Sequence, residues 1–456
     1  MNADAADTAP PPSGTEALHA ASRLLGSAAA DARRAGRDAT AALCCTELLV
    51  AGLRRPRTGL TAARALLRAL THRRGLGHGF AGGRRGTAVE YVGLLLNRTG
   101  LARDLAVTGL RLRIEAAALR HPELLQGPLV RLIEAIEADR QAEAVKIFRE
   151  MSAADGTSYS LSSVAPVFAD LLAWNALIDE NPFNDRSAWA IATGDVPDAE
   201  PLLGIPISFW AFFDRGAGRA ELLTEDPDLL ARLGTGGSIT QWVRNIAALG
   251  NVGRIMIHAV SCPDGGDRYV LQMSGMGGGA PRNDSPMDLV GGFTNVGRTD
   301  TPYTRAARKA VAACVPAGAR LAIVGHSQGG AAAMNLASLP AFTGTYEVTH
   351  VVAVGSPVDY KRPADPRTQV ISLVNEHDIV PALDGRSAVS PYQLPDGWLE
   401  FTWLDTSHAF PLCHAAERYA DNLDHQVPQA RDRIDVLLAP YRGPVTATSV
   451  FRLYDR

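Results

Sequence analysis

The segment LAIVGHSQGGAAAMN, Leu321 to Asn335, sets the architecture of this chain. Leu321-Ala322-Ile323-Val324 is an apolar run of strand character. Gly325-His326-Ser327-Gln328-Gly329 reads G-x-S-x-G, and beyond Gly330 comes an alanine-rich stretch with high helix propensity. A strand that enters a helix through G-x-S-x-G is the context in which this motif forms a nucleophile elbow. The serine then sits on a sharp turn in a strained backbone conformation, with its hydroxyl above the sheet. Side chains at the flanking positions would collide with the strand or the helix, so Gly325 and Gly329 leave room. The plainer alternative is a tight Gly-Ser turn between a strand and a helix, with no chemistry attached.

Around this segment, short apolar runs alternate with helical patterns. They are RIMIHAV at 254–260, RYVLQMSG at 268–275, the helical YTRAARKAVAACV at 303–315, THVVAVGSPV at 349–358, TQVISLV at 368–374, LEFTWLD at 399–405 and the helical ERYADNL at 417–423. Alternating strands and helices imply βαβ units and a mostly parallel sheet. The density of Val, Ile and Leu in the strands suits a sheet covered by helices on both faces. We therefore expect an α/β domain over 206–456.

The chain before it reads differently. EALHAASRLLGSAAADARRA, TGLTAARALLRAL, TGLRLRIEAAALR and GPLVRLIEAIEADRQAEAVKIFREM place apolar residues three and four apart, so 16–180 is expected to be all-helical. Residues 1–15 are small and Pro-rich and are expected to form a disordered tail. Turn residues between 181 and 205 suggest a linker. A chain of 456 residues exceeds one ordinary core, which agrees with two units.

Composition narrows the function classes. The five cysteines have no metal-ligand spacing and no disulfide framework, so we expect a reducing compartment and no metal. With no apolar h-region at the start and no run of 18 apolar residues, we expect a cytoplasmic protein. The net charge is −3, but 51–120 carries 14 arginines against Glu90, Asp104 and Glu115. That stretch could contact an anionic membrane peripherally. A solvated face of an Arg-rich bundle, paired with acids elsewhere, is the simpler reading. Aromatic residues are scarce among these arginines, so stacking on single-stranded nucleic acid is unsupported and no nucleic-acid partner is expected.

A serine hydroxyl needs a base, and the base needs an acid to fix its tautomer. In a doubly wound hydrolase these follow the serine at later strand ends, acid first. Past 368–374 lies Asn375-Glu376-His377-Asp378-Ile379-Val380-Pro381, where Asp378 is the candidate acid, with Glu376 and Asp384 as alternatives. Past 399–405, His414 stands at the mouth of the next helix as candidate base, and His408 and His425 compete with it. His326 and His377 flank the serine and the acid and suit packing roles. For an oxyanion, the backbone N–H of Gln328 follows the nucleophile, and the Gly-rich loop 274–279 offers that of Met276.

Together, GHSQGG at 325–330, VVAVGSPV at 351–358, NEHDIVP at 375–381 and HAAERYA at 414–420 resemble the α/β-hydrolase superfamily. Within it they are similar to the lipase/esterase branch that includes the fungal-type (class 3) lipases, over roughly 230–440. The resemblance implies an α/β-hydrolase-like sheet and a serine hydrolase cleaving a small-molecule or lipid ester, with Ser327 as nucleophile, Asp378 as acid and His414 as base. It implies no cofactor. Those lipases usually carry a Gly-Thr or similar pair where this chain has Gly275-Met276. Residues 16–180 carry no such resemblance. Thioesterases and acyltransferases use the same machinery, because a fold does not choose its acyl group. The rival class is a non-catalytic scaffold whose helical part binds a partner. The two part on geometry: an active enzyme brings a histidine nitrogen within hydrogen-bond reach of Ser327 Oγ.

Overall fold

The computed structural model describes residues 14–72, 75–76, 100–179, 181, 183–197, 205–206, 209, 212–224, 226–262, 266–277, 283–387, 390 and 392–456. Most of the expected N-terminal tail and the middle of the Arg-rich stretch lie outside the described residues.

Eight strands form one sheet: β1 (Arg219–Leu222), β2 (Arg254–Ser261), β3 (Asp267–Met273), β4 (Arg320–His326), β5 (Glu347–Val354), β6 (Gln369–Asn375), β7 (Trp398–Trp403) and β8 (Val445–Tyr454), in the order β1-β8-β2-β3-β4-β5-β6-β7. β3 to β7 run parallel, and β4 sits inside that parallel half. The joints β1–β8, β8–β2 and β2–β3 are antiparallel. The connection from β2 to β3 is too short for a crossover, which forces a hairpin.

The central strands β4, β5 and β6 are largely apolar because both faces are covered. Leu321 and Ile323 of β4 pack with Val351 and Ala353 of β5 under the helices Pro302–Cys314 and Gln328–Ala337. Ala322 and Val324 point the other way, with Val352, Val354, Ile371 and Leu373, towards the helices Ile239–Leu249 and Ala416–His425. Full burial of each such Val, Leu or Ile is worth about 1.5–3 kcal/mol. Local signals start the covering helices. Thr301 accepts the Thr304 N–H, and the Thr304 hydroxyl accepts the Thr301 N–H, a reciprocal cap ahead of Pro302.

Two strands depart from the sequence expectation. β1 is four residues long, and β8 reads VTATSVFRLY, whose Thr and Ser dilute the apolar signal. β8 nevertheless lies between β1 and β2, paired along both edges.

The N-terminal helices include Gly14–Leu43, Pro56–Thr71, Leu101–Arg120, Gly127–Glu137, Gln141–Ala154, Thr157–Ser163 and Phe168–Ile178. They bury a core of their own, distinct from the two layers of the sheet. The expected linker needs correction. Asp185–Thr193 is a helix, and its Ala188, Trp189, Ile191 and Ala192 at helical spacing enter the helical core. Among the described residues, Asn181, Phe183 and Asn184 before it and Gly194 to Pro197 after it keep the loop character that suggested a linker.

Among the described residues of the 51–120 stretch, Arg111 pairs with Asp139, Arg113 with Asp170 and Arg120 with Glu376. Arg113 and Asp170 are fully buried, and the second Asp170 oxygen accepts the Ser387 hydroxyl at 2.5 Å. The Arg120 and Ser387 contacts tie the helical body to the sheet. Among the described residues, no single helix is long and apolar enough to cross a membrane.

Candidate active site

Ser327 stands between the end of β4 and the helix Gln328–Ala337, at φ 58° and ψ −129°. Among the described residues, only Asp139 is also a non-glycine residue at positive φ. Such a backbone costs on the order of 1–3 kcal/mol and persists only where its surroundings over-determine it. Here the Ser327 N–H donates to Val354 O at 2.9 Å, and the Ser327 carbonyl accepts from Gly330 N–H at 3.0 Å. The glycines are required by space. A Cβ on Gly325 would strike the Gly329 carbonyl, and one on Gly329 would strike the carbonyls of Met273 and Ser274. On the opposite side, a Cβ on Gly275 would come within 2.8 Å of Ser327 Cβ.

His414 ends the short turn Leu412–His414 after β7 and just before the helix Ala416–His425. Its Nε2 is 2.8 Å from Ser327 Oγ, and its Nδ1 is 2.6 Å from Asp378 Oδ2. Asp378 follows β6 and is buried, and its Oδ1 accepts the Val380 N–H at 3.0 Å. A carboxylate can only accept, so the proton of the neutral imidazole sits on Nδ1. Nε2 is then left with a lone pair facing the serine hydroxyl.

Two further side chains complete the arrangement. Tyr419, in the first turn of the helix Ala416–His425 and fully buried, donates its hydroxyl to Asp378 Oδ2 at 2.9 Å and accepts the Asn375 N–H at 3.2 Å. Burial pushes its phenol well above the usual value, so it stays a neutral donor. His326 donates Nε2–H to the carbonyl of His414 at 2.7 Å. Burial, and next the proximity of His414, push its imidazole down to about 3, so it is neutral and acts as a backbone clamp. Tyr419 had no sequence signal beyond its place on the helix after His414.

The other candidates lie elsewhere. His408 pairs with the Ser407 hydroxyl at 2.8 Å, and His425 is exposed at a helix end. Glu376 is bound to Arg120 at 2.7 Å and lies 3.3 Å from His121. Asp384 accepts two backbone N–H groups, from Asp359 and Arg386. His377 is buried in the loop beside Asp378.

Ser327, His414, Gln328 and Met276 share the wall of one cavity of about 2010 Å³. Gln328 opens its helix, where backbone N–H groups lack intrahelical acceptors and form the positive end of the helix dipole. Met276 follows Gly275, and its loop is pinned by the Gly277 N–H to Met287 O at 2.8 Å. The wall is shared between the two units: Leu132, Phe148 and Phe168 come from the helical body, and Phe293, Ile379 and Phe410 from the α/β part. Among the described residues, no group of three or more His, Cys, Asp and Glu side chains could hold a metal ion.

In comparisons with protein families, curated proteins and solved structures, no match to this chain was found.

Proposed function

We propose that this chain is a serine hydrolase of the α/β-hydrolase, lipase/esterase type, cleaving a carboxylic ester through an acyl-enzyme on Ser327. The observation that carries this reading is the unbroken hydrogen-bond chain from Ser327 Oγ through His414 to Asp378, on the wall of a largely apolar cavity. The order of the three groups after β4, β6 and β7 supports it as well.

In this reading His414 Nε2 takes the proton of Ser327 Oγ as the oxygen attacks the ester carbonyl. Charge moves to the carbonyl oxygen, where the N–H groups of Gln328 and Met276 would receive it. Asp378 stabilises the imidazolium, with Tyr419 holding the carboxylate. The proton then passes to the leaving alkoxide. Water, deprotonated by the same nitrogen, hydrolyses the acyl-enzyme. The cavity exceeds the usual ~300–1,000 Å³ of ligand sites, which favours an ester with a large apolar portion.

The test is a fluorophosphonate label followed by nitrophenyl esters of graded acyl length, with a matched thioester beside them. The expected result is labelling at Ser327 and turnover that rises with chain length. A folded protein that neither labels nor turns over any of these would leave the non-catalytic scaffold in its place.

A further inference from the structure

We infer that Ser162, a residue of the helical body, is a positioning residue for the base His414. The inference rests on the roles proposed above for Ser327, His414 and Asp378.

Ser162 lies on the helix Thr157–Ser163 and is fully buried. Its Oγ accepts the backbone N–H of Phe410 at 2.6 Å. The same Oγ is 3.7 Å from Cys413 Sγ, and Cys413 Sγ is 3.5 Å from the carbonyl oxygen of His377. Hydrogen direction orders these contacts into one chain. The Phe410 N–H can only donate, so Ser162 accepts there and its own hydrogen is free for the sulfur. The His377 carbonyl can only accept, so the Cys413 thiol donates to it. Burial pushes that thiol up to about 12, which keeps it protonated and able to do so. The chain therefore runs from Phe410 N–H through the Ser162 hydroxyl and the Cys413 thiol to the His377 carbonyl.

Its ends matter. Phe410 and Cys413 belong to the loop that delivers His414, and His377 is bonded directly to Asp378. Ser162 thus stands where the base loop and the acid loop meet, and it is supplied from a sequence position far outside the α/β part. The helical body also grips the acid loop directly, through Arg120 and Glu376 at 2.7 Å. Between β7 and the helix at Ala416 the chain forms only short turns, with Cys413 N–H on Ala409 O at 3.2 Å and His414 N–H on Pro411 O at 3.1 Å. Such a loop needs an outside anchor to hold an imidazole within the narrow range that proton transfer demands. The helical body is therefore part of the catalytic apparatus as well as part of the cavity wall.

The experiment uses the full chain. Ser162→Ala and Ser162→Thr are compared with wild type for second-order fluorophosphonate labelling and for kcat and KM on nitrophenyl acetate, too short to depend on the cavity. Circular dichroism and thermal unfolding check the fold. Ser162→Ala should lower the labelling rate and kcat by about 10–100-fold, the scale of a small misplacement of a reacting group, with KM within about twofold of wild type. Ser162→Thr, which restores the hydroxyl, should recover most of the loss. If Ser162→Ala does not fold, Cys413→Ala opens the same chain from the base loop and should also lower labelling at constant KM. A folded Ser162→Ala, or in its place a folded Cys413→Ala, that labels at the wild-type rate overturns the inference, as does a loss confined to KM. A wild-type protein that resists the label, or a Ser327→Ala variant that still turns over, instead overturns the hydrolase reading and takes this inference with it.

Discussion

Tyr419 Oη lies 2.9 Å from Asp378 Oδ2, the same oxygen that accepts from His414 Nδ1 at 2.6 Å. Two donors converge on one carboxylate oxygen, while the other is held by the Val380 N–H. The Asp378 carboxylate is thereby fixed in rotation, and with it the imidazole plane. Removing the phenol hydroxyl strips a buried charged group of one donor, a loss of about 1.5–3 kcal/mol. Tyr419→Phe should therefore lower the free energy of urea unfolding by that order. It should also slow fluorophosphonate labelling, because the carboxylate regains freedom to turn. Unchanged stability and labelling would mean that the tyrosine only fills space.

His414 and His408 differ in what they reach, and kinetics should separate them. His414→Ala should reduce kcat on an activated ester by at least about a thousandfold, as expected when one member of a cooperating triad is lost. His408 meets Ser407, not Ser327, so His408→Ala should cost about tenfold or less. Ser327→Ala should abolish labelling with the fold intact. If His408→Ala is the inactive enzyme, the loop after β7 does not hold the base in the observed way.

The grouping around Ser327 was legible because its members sit in short motifs at strand ends, where βαβ topology brings distant segments to one edge. GHSQGG, NEHDIVP and the His414 helix entrance each combine a strand, a turn and a polar residue within a few positions. The supporting contacts leave no such trace. Arg120 and Glu376 are 256 positions apart and Ser162 and Phe410 are 248 apart, so nothing local pairs them. β8 was missed for a related reason: its Thr and Ser face neighbours that only the assembled sheet provides. Asp185–Thr193 was hidden by the turn residues in front of it, although Ala188, Trp189 and Ile191 carry helical spacing.

The elbow glycines give a steric prediction. Gly329→Ala would drive a Cβ into the backbone carbonyls of Met273 and Ser274, and Gly325→Ala into that of Gly329. Backbone cannot yield as a flexible side chain can, so each should cost about 3 kcal/mol or more, at or beyond the upper end of ordinary overpacking. Gly266→Ala meets nothing within 4 Å and should stay within about 0.5 kcal/mol of wild type. Urea unfolding of the three variants checks this, and a Gly329→Ala protein as stable as Gly266→Ala would contradict the packing around Ser327.

Acid should destabilise the fold through histidines that are buried in the neutral form. His258 on β2 is buried, with its Nε2 unpartnered and its Nδ1 3.3 Å from Gln272 Nε2, and burial pushes its imidazole down to about 4. The unfolded chain takes up the proton near its ordinary value of about 6.5. Between those two values the unfolded state binds more protons than the native state, so stability is fully present above about pH 6.5 and is lost as pH falls towards 4. The slope for one such group approaches about 1.4 kcal/mol per pH unit. His326, held near 3, adds the same sign over a window reaching further into acid. His258→Gln removes one proton from this balance without touching Ser327 or its partners. The unfolding free energy of His258→Gln between pH 4 and 6.5 should fall less steeply than that of wild type, by close to one proton's worth, while fluorophosphonate labelling at neutral pH stays at the wild-type rate. Equal slopes in the two proteins would show that His258 titrates alike in the folded and unfolded chain and that its burial carries no such cost.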